Sequence, residues 1–95
     1  MYEDVIAALE ELAGWLEVSP GNQKQVLECV EKLKRPDLTD FQRRQVRHLL
    51  SGEMLFHPKW LGDLYLPDFP ADGTRWPWHN YLARIRDLCQ RALAN

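Results

Sequence analysis

An all-α fold, a compact bundle of four helices with a long irregular aromatic-rich connection before the last helix, is predicted by three features of the 95-residue sequence. Apolar residues recur at helical spacing in four separate segments. Each of the last three segments opens on a proline or a capping sequence. No stretch alternates apolar and polar residues over a convincing length, as a half-buried strand would. At 45% hydrophobic and 27% charged residues the chain has the composition of a folded protein, and its length is that of one domain, residues 1–95. A domain of this size has room for one small core and little for a deep cofactor cavity, so no cofactor is expected.

The first helix is expected over about residues 3–17, where Val5, Ile6, Leu9, Leu12, Ala13 and Leu16 form the apolar stripe and Glu3, Asp4, Glu10, Glu11 and Glu17 the other faces. It stops at Ser19-Pro20-Gly21, where the proline opens the next helix and Ser19 is the candidate N-cap. The second helix presents Val26, Leu27, Cys29, Val30 and Leu33, and the short connection around Pro36 favours an antiparallel pair. Thr39-Asp40-Phe41-Gln42 has the threonine-to-glutamine spacing of a capping box. The third helix therefore starts there, with Phe41, Val46, Leu49 and Leu50 as its apolar positions and Gly52 as a left-handed stop. Glu53 to Arg75 has no clean period and contains Pro58, Pro67, Pro70 and Gly73. The last helix enters through Pro77 and carries the strongest pattern in the chain: Trp78, Tyr81, Leu82, Ile85, Leu88, Cys89, Ala92 and Leu93.

Composition bounds the function. Residues 1–17 carry no lysine or arginine, the wrong charge for a secretory signal, and no apolar run approaches the roughly 20 residues that cross a bilayer. Cys29 and Cys89 fall on apolar stripes and are expected as buried thiols, which points to a cytoplasmic protein with no membrane association. His48, His57 and His79 have no i, i+4 partner, so no metal site is expected. Ser19 and Ser51 sit at helix boundaries where capping accounts for them. No residue set forms a catalytic signature, and a non-enzymatic role is expected. An acid–base pair of Glu53 and Asp63 would require one concave pocket holding both.

Charge is segregated along the chain. Residues 1–19 hold five acids and no bases, whereas residues 20–50 hold seven bases and four acids. Around the third helix gather Lys32, Lys34, Arg35, Arg43, Arg44, Arg47 and His48, and a basic helix near residues 40–51 raises an alternative, a nucleic-acid-associated regulator with Arg43, Arg44 and Arg47 on phosphates. The net charge of −2 argues against it, because phosphate binding needs several uncompensated cations.

The most informative stretch lies between residues 55 and 78, which holds three of the four tryptophans. Phe56, Leu61, Leu64 and Trp78 are expected in the core. Exposed rings beside carboxylates would instead give the aromatic and acidic mixture of an interface hot spot, stiffened by four prolines. Trp60, Asp63, Tyr65, Asp68, Asp72 and Trp76 are the candidate partner-binding residues.

The run of two amphipathic helices, then Leu49-Leu50-Ser51-Gly52-Glu53-Met54, Leu61-Gly62-Asp63-Leu64, and a final helix opened near Asn80 and carrying Leu88 and Ala92, resembles small all-helical bacterial immunity-like proteins of unassigned activity. Here Phe56-His57-Pro58-Lys59-Trp60 separates the glycine–methionine turn from the Asp-Leu pair more widely than in that pattern. The resemblance covers about the last half of the chain. It implies a protein partner, such as a toxin domain, inhibited by an immunity or antitoxin-like protein.

Overall fold

The computed structural model describes residues 2–94 and, among them, contains helices and turns but no strand. Helix α1 spans Glu3–Trp15, α2 Pro20–Leu33, α3 Asp40–Leu49 and α4 Pro77–Ala92. Short 3-10 turns at Leu16–Val18 and Leu61–Asp63 complete the regular structure. The four-helix, all-α expectation holds.

Helix α1 lies against both α2 and α4, and α3 packs on α2. The core is built by the expected stripes: Val5, Leu9, Leu12 and Leu16 from the first segment meet Val26, Val30 and Leu33 from α2 and Leu82, Ile85 and Leu93 from the last. At about 25 cal/mol per Å² of apolar surface, burying one such side chain stabilises by about 1.5–3 kcal/mol, and these contacts decide the packing. The connection adds Leu55, Phe56 and Leu61 to the same core. No helix among the described residues is long and apolar enough to cross a membrane.

The local signals differ in how well they survive. The capping box is present in full: Thr39 Oγ1 accepts from the Gln42 amide at 3.1 Å, and Gln42 Oε1 accepts from the Thr39 amide at 3.0 Å. Ser19 precedes α2, yet its hydroxyl accepts from the Asn22 side chain at 2.9 Å rather than from a backbone amide. The α2 donors need less capping, because Pro20 already removes one N–H from the first turn. Gly52 is not the left-handed stop of α3. The only residue with positive φ among those described is Gly73, at 83°. Helix α3 ends instead in a right-handed Leu50 cap, whose amide reaches the carbonyls of His48 and Val46. Helix α1 is also shorter than the periodicity suggests and tightens into the 3-10 turn at Leu16. There Gln23 of α2 donates its side-chain amide to the Ala13 carbonyl at 2.9 Å.

Two apolar positions assigned to stripes face solvent. Leu27 and Phe41 are exposed, because no element covers the outer faces of α2 and α3. Both cysteines are buried, and loss of hydration pushes the Cys29 thiol up to about 11 and the Cys89 thiol to about 12. A thiol-specific disulfide reagent at about pH 8 should therefore label the folded protein far more slowly than the denatured chain, with both thiols reacting once denaturant is added. Rapid labelling of the native protein would contradict this burial. The stability consequence has a definite sign. Both folded values lie above the unfolded thiol's roughly 8.5, so stability falls as pH rises from about 9 toward them, where the unfolded chain binds fewer protons.

Candidate functional site

The irregular connection is anchored at five points. Leu55 and Phe56 enter the core directly after α3. The buried Leu61 turn accepts a hydrogen bond at its carbonyl from Trp78 Nε1 at 2.8 Å. Gly62 lies so close to α4 that a methyl group there would stand 3.4 Å from His79 Nε2. Phe69 is wedged among Trp15, Trp78 and Tyr81, with ring centroids 4.9–5.1 Å apart. Asp72 closes the segment, accepting from the amide and hydroxyl of Thr74 and from Asn80 Nδ2 at 3.3 Å. Edge-on aromatic pairs of this kind add about 0.5–1.5 kcal/mol each beyond their buried area.

Between the anchors, the rings assigned to partner contact point outward. Trp60 is 58% exposed, Tyr65 82% and Trp76 58%. Trp76 stands edge-on to His79, with Arg75 over its ring at 5.7 Å. Of the four side chains expected inside, Phe56, Leu61 and Trp78 are buried, whereas Leu64 is half-buried. Asp63 and Asp68 are exposed and form no side-chain hydrogen bond or ion pair with described residues. Asp72 is exposed too, but its carboxylate is engaged in the turn, and the Thr74 hydroxyl in first place holds it below the usual carboxylate range. It is therefore a loop tie rather than a free contact group.

Trp60 also borders a groove of about 490 Å³ between α2 and the residues following α3. Its apolar lining is Leu49, Met54, Leu55 and Trp60, and its charged lining is Glu28, Lys32 and Glu53. Gln25, Glu28, Cys29 and Lys32 share this side of α2 because their three- and four-residue spacing places them on one helix face. That spacing was legible in the sequence, but the element lying opposite it was not. The carboxylates beside Trp60 in the groove are thus Glu28 and Glu53. Asp63 does not line it, so the Glu53–Asp63 acid–base pair is not assembled in one pocket. Among the described residues no three metal-ligating side chains come together.

The arginines of α3 divide by face. Arg43 is buried and donates to the Leu93 carbonyl at 2.6 Å, with Asp40 at 3.6 Å. Arg47 donates to the Gln90 carbonyl at 3.2 Å. Gln90 in turn donates to the carbonyls of Arg47 and Leu50, each at 3.1 Å. The C-terminal ends of α3 and α4 thereby satisfy each other's unpaired carbonyls. Of the three arginines assigned to phosphate contact, only Arg44 is exposed, so α3 offers no row of three free cations.

Comparison with protein-family models, characterised proteins and solved structures finds no match for this chain.

Proposed function

We propose that this chain is a non-enzymatic protein-binding module whose contact surface is the outward side of the 57–76 connection, with Trp60 at its centre. The observation that carries this reading is that Trp60, Tyr65 and Trp76 remain exposed on a segment fixed at both ends and in the middle. An exposed ring on a mobile loop loses entropy on binding. A ring on an anchored loop loses much less, and aromatic anchors held in place are the usual energetic centres of protein interfaces. Asp63 and Asp68 supply free carboxylates on the same segment, and Glu28 and Glu53 do so beside Trp60. The partner expected from this mixture is a protein with a basic rim around an apolar pocket. Inhibition of a toxin domain in the cytoplasm, in the manner of an immunity or antitoxin-like protein, is the form that the sequence resemblance supports.

The test begins with co-purification from the native source and continues with the purified partner in a calorimeter. Trp60→Ala and Asp63→Ala should each weaken the complex by more than about 1 kcal/mol while leaving the circular dichroism and melting transition unchanged. Unchanged affinity in both variants removes the assignment of this surface. A nucleic-acid-binding role predicts something else, retention of DNA or RNA with affinity that falls steeply with salt, and the same preparation distinguishes the two.

A further inference from the structure

The outer face of α3 carries Phe41, Arg44, Gln45 and His48, spaced so that all four share one side of the helix. With Lys32 of α2 and Leu49 they line a trough of about 650 Å³ that does not include Trp60. Phe41 is 63% exposed there, the second most exposed large apolar side chain position alongside Val18. The charged and titratable lining is entirely basic: Lys32, Arg44 and His48, with no carboxylate. Neither Lys32 nor Arg44 has an ion-pair partner among the described residues. Asp40, the acid nearest Arg44 in sequence, is directed to Arg43 at 3.6 Å.

We propose that this trough docks an acidic peptide segment, one bulky apolar side chain of the partner packing on Phe41 and Leu49 while its carboxylates face Lys32, Arg44 and His48. An apolar floor under a rim of three basic side chains complements that pattern, because carboxylates gain from charge-assisted hydrogen bonds while the exposed phenyl ring gains from burial. A nucleic-acid backbone fits less well. It requires a track of free cations, whereas Arg43 and Arg47 are committed inside the fold. The trough shares Lys32 and Leu49 with the edge of the Trp60 groove but includes none of Trp60, Tyr65 and Trp76, so Phe41 and Arg44 test it independently of the function proposed above.

The test is an NMR titration of the full isotope-labelled chain with two synthetic helical peptides. They share one leucine and phenylalanine pattern, one carrying glutamates and the other lysines at the remaining positions. A short DNA duplex and a single-stranded RNA at low salt complete the set. The glutamate peptide should bind at least about tenfold more tightly than the lysine peptide and shift the amide signals of Lys32, Phe41, Arg44, Gln45, His48 and Leu49, leaving those of Trp60, Tyr65 and Trp76 in place. Phe41→Ala and Arg44→Glu, both at exposed positions, should each cost about tenfold in that affinity with unchanged circular dichroism. The proposal is overturned if the glutamate peptide fails to bind, if both peptides bind equally, if the shifts fall elsewhere, or if an oligonucleotide is preferred. It is equally overturned if sedimentation shows a dimer that Phe41→Ala converts to monomer, since the face would then belong to a second copy of the chain.

Discussion

Replacing Trp78 with alanine should lower the unfolding free energy by about 3–5 kcal/mol, a large part of the roughly 5–15 kcal/mol that holds a domain of this size together. The indole is buried, stacks on Tyr81 with centroids 5.6 Å apart, and meets Phe69 edge-on at 5.1 Å. Its removal leaves a cavity where α4 meets the connection. It also takes away the donor to the Leu61 carbonyl, leaving a buried acceptor unsatisfied. Denaturant titration measures the first effect. Hydrogen exchange measures the second, because the amides of residues 60–64 should lose protection beyond what global destabilisation explains. Trp78→Phe separates the two contributions, keeping most of the packing while deleting the hydrogen bond, and should cost about 1–3 kcal/mol. A Trp78→Ala variant as stable as the parent would show that the connection is not held by this side chain.

Arg43→Ala is expected to be nearly as damaging, at about 2–3 kcal/mol, although it removes a surface-type residue from a basic helix. The guanidinium is buried and lies against the Leu93 carbonyl at the end of α4, where a cation also complements the helix dipole. Once it is gone, that carbonyl has lost its charged donor. A shift in melting temperature of about 10–20 °C is expected for a domain of this length. Arg44→Ala, one residue along on the exposed face, is the control and should change stability by no more than about 0.5 kcal/mol. Equal effects of the two substitutions would mean that the α3–α4 contact contributes nothing to the fold.

The contrast between Arg43 and Arg44 shows where sequence reasoning stops. Helical spacing identifies Val46 and Leu50 as core positions, and Arg43 lies three residues before Val46, on the same face. The spacing therefore carried the signal that Arg43 turns inward. Its charge suggested the opposite, and only the nearby end of α4 explains how a guanidinium is accommodated there. Phe41 and Leu27 fail in the reverse direction. Both are apolar at helical positions, yet neither α2 nor α3 has a neighbour over that side, so both remain exposed.

The candidate surface divides in a similar way. Prolines, the lack of helical period and the concentration of aromatic residues between 55 and 78 marked the segment, and Trp60, Tyr65 and Trp76 are exposed as a contact surface requires. Asp72 was legible as a turn former, and it is used as one. The groove beside Trp60 was not legible, because Glu28 and Lys32 of α2 are far in the chain from Met54 and Trp60, which face them.

Four helices, their approximate limits, the capping box at Thr39 and the apolar stripes were determined by the order of residues alone, since periodicity and capping are local and act within a few positions of one another. Which rings of the connection are swallowed and which stay in water, and which arginines are free, was decided only when the helices met. Those outcomes depend on which carbonyl or ring lies opposite a side chain, such as Leu93 beside Arg43 or Phe69 beside Trp78, and such distances are set by packing between residues remote in sequence.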